Sequence, residues 1–381
     1  MNVCGALIGS IAAGFLLIPK LGSQASLIAL SGVSLVSGLM LILSIAPKRR
    51  AFAIAASAIA VTAFGLGAAR VPNPFDLALA RLHPGERLLW REEGVQTTVA
   101  VHQAGRQQIM YLDGHHQAND TNGTAFVHHR IGWLPAALHP APKRALVIGL
   151  GGGATPGAIA RFPGIDVDVV ELSPTVVEGA RWFSRINFDI LNRPNARLRV
   201  DDGRNFLLLG EPRQYDIITA DVMLPHHAGA GNLYSADYFR LVRRALKNDG
   251  IVLQWIGSHT REEYLLQLRT FLTVFPETTL WGDGSLMVGS KRAFTLSHAA
   301  HQAKLADPGA RSALERFTVA RFERLVGQYI AGPKELRKLA GEGPILTDDR
   351  PRVEYFLSLP PDDKAMDLSG LKGHPDEIVR P

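Results

Sequence analysis

The sequence is poor in cysteine and has no concentrated run of positive charge. Cys4 is the single cysteine among 381 residues, which excludes an intramolecular disulfide framework and a zinc cluster built on cysteines. The net charge is +6 and the isoelectric point is about 9.5, yet the lysines and arginines do not form a basic arm. We therefore predict no metal site and no nucleic-acid partner. The basic excess instead indicates a membrane-facing surface or an anionic ligand.

Charged residues are absent from three long stretches near the amino terminus, residues 3–18, 23–46 and 51–69. Crossing the hydrocarbon core of a bilayer takes roughly 20 residues. The second stretch exceeds that length, the third nearly reaches it, and the first is marginal. A signal peptide would explain one such stretch but not three in succession. We therefore predict about three transmembrane helices in residues 1–70, in contact with membrane lipid. A buried hairpin of a soluble protein is the alternative.

A glycine-rich turn follows the short apolar run at residues 145–149. Gly149, Gly151 and Gly153 stand where a strand turns tightly into a helix. Because they lack a Cβ atom, they permit positive φ and allow backbone N–H groups to approach a ligand closely. Glu171 ends the next apolar run, at the distance where nucleotide-binding α/β units hold ribose hydroxyls. This pattern predicts a nucleotide site, with an ordinary strand-to-helix turn as the alternative.

Apolar runs and helical segments alternate beyond Glu171, which indicates a parallel sheet with helices on both faces. Ligands in such sheets lie beyond the carboxyl ends of the strands. The residues predicted at four such ends are Gly151, Glu171, Asp202 and Asp221. We therefore expect them to converge on one site.

The chain is predicted to have four parts. Transmembrane helices occupy residues 1–70. A linker and a small β domain follow at residues 71–125. Pro72, Pro74 and Pro84 mark the linker at residues 72–87, and residues 94–103 and 107–112 are predicted to form a β-hairpin. Residues 126–296 form the α/β domain. Residues 297–381 are predicted to contain an amphipathic helix at residues 308–328, an edge strand at residues 353–357 and a mobile tail after Pro360.

Several motifs in this order resemble those of the polyamine aminopropyltransferases, the spermidine synthase family. They are Leu112-Asp113-Gly114-His115-His116-Gln117, Gly151-Gly152-Gly153, Val170-Glu171-Leu172-Ser173-Pro174, Asp202-Gly203, Asn232-Leu233-Tyr234-Ser235 and Leu346-Thr347-Asp348-Asp349-Arg350-Pro351. The resemblance implies a methyltransferase-like Rossmann domain, doubly wound and mostly parallel, behind a small β-hairpin domain. With the apolar start, it points to the bacterial branch in which this domain is fused to transmembrane helices.

The resemblance also implies roles for single residues. Decarboxylated S-adenosylmethionine or S-adenosylmethionine would be the co-substrate, bound by the glycine loop. Gln96 and Gln117 would contact its methionine-derived part, Glu171 its ribose, and Asp202 with Gly203 its adenine. Asp221 would deprotonate the attacking amine, for which a carboxylate beside a sulfonium is chemically suited.

The sequence departs from the family pattern where the polyamine would bind. Ala154 and Leu224 replace two aspartates, and Val127-His128-His129 replaces Tyr-His-Glu. A diamine carries two positive charges, so the loss of carboxylates predicts that putrescine is a poor acceptor. The pairs His128-His129 and His226-His227 are predicted to contact a small-molecule amine or another acceptor, since imidazoles are mostly neutral near pH 7.

Two other functions remain open at this stage. One is an S-adenosylmethionine-dependent methyltransferase, and the other is a non-catalytic nucleotide sensor on a membrane. Lys48, Arg49 and Arg50 draw one loop towards the cytoplasm while Lys20 and Arg70 draw the opposite side. Because nucleotide cofactors are cytosolic, we predict a multi-pass membrane protein with a cytoplasmic catalytic domain. The oligomeric state is undecided, with a homodimer as one option.

Overall fold

The computed structural model describes residues 2–45, 50–221, 229–256, 260–355, 365–371 and 373–380. The chain divides into two compact units. The first comprises Met1–Arg106 with Tyr111–His116, and the second Gln107–Met110 with Gln117–Pro381.

Apolar helices form the start of the first unit. They are α1 (Asn2–Ala12), a π-helical segment (Ala13–Leu17), α2 (Ile18–Ile45) and α3 (Arg50–Ala68). Two stretches are long and apolar enough to cross a membrane, Val3–Ile42 with a mean hydropathy of 2.1 and Ala51–Ala68 with 1.9. Length and composition alone are weak grounds for a membrane span, so the membrane location stays a prediction.

The first apolar stretch is broken at Gly22. Its φ of 77° and ψ of 166° are not helical. The backbone N–H of Ser23 donates to the Glu93 carboxylate at 3.0 Å, which caps the restarted helix. Forty helical residues would measure about 60 Å, twice the thickness of the hydrocarbon core. The break divides this length into two segments, near the gap between the first two predicted spans.

A short helix and four strands follow. They are α4 (Pro74–Leu82), β1 (Arg87–Glu93), β2 (Thr98–Ala104), β3 (Gln107–Leu112) and β4 (His115–Asn119). The strands form a small sheet in chain order, with β1 antiparallel to β2. The predicted linker residues include the helix α4, which Asn73 caps by accepting from the N–H of Phe75. The predicted hairpin is confirmed as β2 and β3, which turn at Gly105.

The second unit is built on an eight-stranded sheet with the order β13-β10-β11-β9-β8-β5-β6-β7. Five neighbouring strands are parallel: β5 (Arg144–Ile148), β6 (Asp166–Glu171), β7 (Ala196–Val200), β8 (Tyr215–Ala220) and β9 (Leu246–Trp255). Three antiparallel strands complete one edge: β10 (Thr279–Trp281), β11 (Leu286–Ser290) and β13 (Tyr329–Ala331). The predicted α/β class with a mostly parallel sheet is confirmed.

Helices connect and cover these strands. They are α5 (Asn122–Leu138), α6 (Ala154–Ala160), α7 (Pro174–Ala180), α8 (Ser184–Asn187), α9 (Gly203–Leu209), α10 (Ala236–Ala245), α11 (Arg261–Val274), α12 (His298–Ala306), α13 (Pro308–Arg316), α14 (Phe322–Val326) and α15 (Pro333–Ala340). The sheet packs against α10 and α11 through a fully buried aromatic cluster of Phe239, Phe271 and Phe275. This packing fixes the strands whose ends carry the candidate site.

The carboxyl-terminal part differs from its prediction in two places. The single amphipathic helix expected at residues 308–328 is two helices, because Thr318 adopts a φ of 61° between them. The end of the chain is not simply a tail, since β14 (Val379–Arg380) pairs in parallel with β12 (Leu296–Ser297). No strand is assigned at residues 353–355, and the rest of the expected edge strand, residues 356–357, lies outside the described residues.

Candidate functional site

The glycine turn after β5 has the backbone that was predicted for it. Gly149, Gly151 and Gly153 adopt φ values of 87°, 51° and 82°, a region that other residues enter only with strain. A Cβ on Gly153 would lie 3.0 Å from Cβ of Asn187. The turn is therefore restricted both by its conformation and by the chain that packs against it.

Glu171 ends β6 with its carboxylate turned towards this turn. It is 8% exposed and accepts hydrogen bonds from the backbone N–H groups of Leu150 at 2.8 Å and Ser173 at 2.9 Å. Burial raises the pKa of Glu171, and the backbone donors oppose that shift without cancelling it. Glu171 thus helps to shape the glycine loop, and its predicted contact with a ribose would use its remaining acceptor capacity.

Asp202 and Gly203 begin α9 at the end of β7. Asp202 is half-buried, and its Oδ1 accepts from the N–H groups of Arg204 at 2.8 Å and Asn205 at 2.9 Å, which is an N-cap. A Cβ on Gly203 would lie 2.5 Å from the Ile148 side chain. Glycine is therefore required for the close approach of α9 to β5. Among the described residues, no hydrogen bond to the second carboxylate oxygen of Asp202 is found, so that oxygen can accept one from a ligand.

Asp221 follows β8 and is paired with a histidine. Both of its carboxylate oxygens lie 3.0 Å from Nδ1 of His128, which α5 carries. The Thr155 hydroxyl lies 2.6 Å from Oδ2 of Asp221 and 2.7 Å from the His128 carbonyl oxygen. Asp221 is 8% exposed, so three polar groups from three elements meet in a place with little water.

The pairing alters the protonation of His128. Burial lowers the pKa of His128, but the Asp221 charge and hydrogen bond together outweigh burial, so the pKa lies above its ordinary value. The folded structure therefore favours the imidazolium form of His128 more than water does. Tyr234 is fully buried, and burial together with the Asp221 charge raises the pKa of its phenol. The phenol is consequently neutral at physiological pH.

The register of the sheet brings the four predicted strand-end residues to one end of the sheet. Ile148 pairs with Val170 and with Ala220, and Glu171 pairs with Val200, all in parallel. The residues after these positions therefore share one end of the sheet. Gln117 reaches the same place, because its Nε2 would lie 3.4 Å from a Cβ on Gly151.

Four predicted site residues remain: Gln96, His129, His226 and His227. Gln96 is exposed in the bend between β1 and β2 of the first unit. Nε2 of His129 lies 2.6 Å from the Ile186 carbonyl, and its ring stacks on Phe188, with burial lowering its pKa. His129 thus packs within the fold. The predicted acceptor residues His226 and His227, like Leu224, lie outside the described residues.

Sequence reasoning missed a group of contacts that anchors the start of α9. The Arg204 guanidinium binds the Asp348 carboxylate through two hydrogen bonds, one of them 2.5 Å long. Asp348 also accepts from the Ser235 hydroxyl at 2.6 Å. Two of the quoted motifs, Asn232–Ser235 and Leu346–Pro351, therefore meet here. Both motifs could be recognised in the sequence, but the contact between them depends on the tertiary fold.

One group of potential metal ligands lies elsewhere in the second unit. Ligand atoms of His139, Asp216 and Asp249 lie within 4.8 Å of one another. Lys247 donates to both Asp216 oxygens at 2.8 and 2.9 Å, and Lys143 adds a backbone N–H. A carboxylate already paired with an ammonium is a poor metal ligand, so this group does not fit a metal ion well.

Comparison with known proteins gives one family. The model of the spermine/spermidine synthase domain matches residues 124–275. Polyamine aminopropyltransferase 2 of Aquifex aeolicus is 24% identical over 308 residues, covering 74% of this chain and 60% of that protein. Putrescine N-methyltransferase 2 of Nicotiana attenuata is 28% identical over 191 residues, covering 48% and 51%.

A solved spermidine synthase, crystallised with the transition-state analogue AdoDATO, has the same fold. It superposes with a TM-score of 0.53 at 20% identity, over 67% of this chain and 87% of the other. The present chain spans about 60% or less of the two relatives' lengths. The similarity to these proteins therefore supports the assignment of the domain and its fold, but not the activity of the whole protein.

Proposed function

We propose that this chain, which belongs to the spermine/spermidine synthase family through its residues 124–275, transfers an aminopropyl group from decarboxylated S-adenosylmethionine to an amine. One observation carries the proposal. Asp221 is a nearly buried carboxylate at the carboxyl ends of the parallel strands, where the glycine loop, Glu171 and Asp202 also lie. An AdoDATO complex of a related fold supports the choice of nucleotide.

In the proposed reaction Asp221 holds the acceptor amine and takes its proton. The amine nitrogen forms a bond to the propyl carbon attached to sulfur. The carbon–sulfur bond breaks with its electron pair going to sulfur, so that the sulfonium becomes the neutral thioether methylthioadenosine. The proton that Asp221 takes from the acceptor ammonium frees the nitrogen lone pair for this attack, and the product leaves as a secondary ammonium. Glu171 and Asp202 hold the nucleotide, and the Thr155 hydroxyl orients Asp221.

The His128–Asp221 pair bears on the choice of acceptor. An imidazolium 3.0 Å from the carboxylate cancels much of its negative charge. A diamine with two positive charges then gains less from the site than it would from an unpaired aspartate. Together with the sequence departures at Ala154 and Leu224, this supports putrescine being a poor acceptor and favours an amine of lower charge.

Methyl transfer from S-adenosylmethionine is the second candidate. The specific observation in its favour is the similarity to putrescine N-methyltransferase over 191 residues. The same carboxylate would accept the amine proton, and the nucleotide would leave as S-adenosylhomocysteine. Fold and site residues would be unchanged, so only the reaction product separates the two functions.

Mass spectrometry of the nucleotide product tests the proposal. The full chain is incubated with each nucleotide and a panel of monoamines and diamines, with the Asp221→Asn variant as the control. Methylthioadenosine formed only with decarboxylated S-adenosylmethionine and an amine is the expected result. S-adenosylhomocysteine formed instead would establish methyl transfer, and neither product with any acceptor would contradict both candidates.

We further propose that the apolar helices anchor the protein in a membrane with the catalytic domain in the cytoplasm. The two apolar helical stretches and the break at Gly22 support this arrangement. In sealed inside-out vesicles, added protease is expected to digest the catalytic domain. A domain shielded in those vesicles would show the opposite orientation, and a protein extracted by alkaline carbonate would not span the membrane.

A further inference from the structure

The second unit has a cleft lined by cations at the amino ends of strands β8 and β9, at the end of the sheet opposite to Asp221. Its volume is about 560 Å³, within the range of ~300–1,000 Å³ typical of small-molecule sites. Pro212 and Arg213 precede β8, Asn248 lies at the start of β9, and Lys291 follows β11. The remaining lining residues are Arg240, Arg243 and Arg244 of α10, and Arg292.

The lining carries six cationic side chains and no carboxylate. In the described parts of the chain, Arg240 is paired with Asp237 at 2.6 Å, whereas no salt bridge involves Arg213, Arg243 or Arg292. Like charges held this close repel one another. A cleft of this kind is destabilised when empty of anions and gains energy when an anion enters.

Ordinary helix electrostatics explain only part of this charge. Basic residues in the last turn of a helix interact favourably with its dipole, which accounts for Arg243 and Arg244 in α10. The Arg244 guanidinium also donates to the Leu208 and Gly210 carbonyls. The dipole of α10 does not account for the cations from the other segments of the cleft, of which Lys291 also donates to the Leu246 carbonyl.

Two of those cations are held there at a cost. Arg213 has a φ of 58°, a left-handed conformation that is strained for arginine. Its backbone N–H donates to the Arg244 carbonyl at 3.0 Å, which fixes it beside α10. Burial, with the charges of Arg243 and Arg213, lowers the pKa of Lys291. An anion in the cleft would offset this repulsion.

We propose that this cleft binds a phosphate-bearing anion with two or more negative charges. The arginines supply planar forks suited to phosphate oxygens, and Lys291 supplies a point charge. The ligand is either a free phosphorylated metabolite or the phosphate headgroup of an anionic lipid. The site lies at the opposite end of the parallel strands from Asp221, and it does not depend on the reaction performed there.

Calorimetry with inorganic pyrophosphate tests the site. The full chain is reconstituted in phosphatidylcholine nanodiscs and compared with the variant Arg243→Glu/Arg292→Glu. Both arginines are exposed, so the double variant is expected to fold. We expect saturable binding by the native chain and at least a tenfold loss of affinity in the variant. The exposed turn residue Arg106 supplies the control, since Arg106→Glu should bind as the native chain does.

Methylthioadenosine affinity is measured in parallel as a readout of folding. It should be the same in the native chain and the double variant. Discs containing phosphatidylglycerol distinguish the sources of phosphate. Weaker pyrophosphate binding there indicates that lipid headgroups occupy the cleft, and unchanged binding indicates a free metabolite. Equal pyrophosphate binding by the native chain and a folded double variant would overturn the proposal. So would binding of an RNA oligonucleotide without binding of pyrophosphate.

Discussion

Glu171 and Asp221 are two carboxylates in equivalent positions with different surroundings. Glu171 is the last residue of β6 and Asp221 directly follows β8, so both lie at the carboxyl ends of parallel strands, and each is 8% exposed. Glu171 is held by backbone N–H groups on both oxygens. Asp221 is held by the side chains of His128 and Thr155. A carboxylate fixed by backbone donors shapes a loop, whereas one that faces a titratable side chain can exchange a proton.

The largest expected effect is the loss of turnover when Asp221 is changed, because Asp221 is the carboxylate of the two that is proposed to take up a proton. Asp221→Asn removes the proton acceptor but keeps the size of the side chain. Turnover should fall by about 10²-fold or more. Asp166→Asn, an exposed position at the other end of β6, is the matched control and should leave turnover unchanged. Near-normal turnover in Asp221→Asn would reduce Asp221 to a structural residue.

His128 sharpens the comparison, because the donors described for Glu171 are the backbone N–H groups of Leu150 and Ser173, which do not titrate. Deprotonation of His128 above its raised pKa frees Asp221 to act as a base, so turnover should rise with pH above 6.5. His128→Asn should abolish this rise, because the group whose titration frees Asp221 is then absent. Turnover measured from pH 6 to 9 tests this, with the exposed His298→Asn as control.

The same pair makes a stability prediction with a defined sign. A histidine whose pKa is raised on folding contributes stability that is fully present below the unfolded pKa of about 6.5. That contribution is lost as pH rises through the folded pKa. The melting temperature of the native chain should therefore fall relative to that of His128→Asn between pH 6 and 9. Parallel melting curves would contradict the ion pair.

Lys304 is a cationic counterpart of Glu171, since backbone atoms alone satisfy it. Its ammonium donates to the carbonyls of Ala136, Ala137 and His139 at the end of α5. Burial lowers its pKa to about 7. Lys304→Met should destabilise the protein by about 1–3 kcal/mol, the cost of leaving buried acceptors unpaired. Turnover by the folded variant should be unchanged.

Thermal unfolding at pH 8 measures this effect, with the exposed Lys338→Met as control. A lysine whose pKa is lowered on folding binds fewer protons in the native state between about pH 7 and 10, so its contribution becomes more favourable as pH rises there. The native chain should gain stability over Lys304→Met from pH 7 to 9. An unchanged melting temperature in Lys304→Met would contradict the assignment.

Sequence reasoning reached the parts of the site that local patterns determine. Gly151, Glu171, Asp202 and Asp221 each stand at or just after the carboxyl end of a predicted strand, and parallel strands bring these ends together by a general rule. The pairing of His128 with Asp221 joins residues 93 positions apart, and it depends on the direction in which α5 crosses the sheet. No periodicity in the sequence encodes that direction.

The mistaken elements have local physical causes. Pro74 was taken as a linker residue, but proline is favoured at the first position of a helix, and Asn73 supplies the cap. The helix expected at residues 308–328 is interrupted at Thr318, which is not a residue that usually breaks helices. Tertiary contacts decide such positions, and their strength cannot be read from composition.

The most direct test of the contrast between the two carboxylates is the affinity for methylthioadenosine. Calorimetry would compare the native chain with Asp221→Asn and Glu171→Ala. Glu171→Ala should weaken binding by roughly 1.5–3 kcal/mol, the range for a lost hydrogen bond to a charged group, with added loss from the disturbed glycine loop. Asp221→Asn should bind within about threefold of the native chain, a difference of less than ~0.7 kcal/mol. Equal losses in both variants, or a loss confined to Asp221→Asn, would contradict the account.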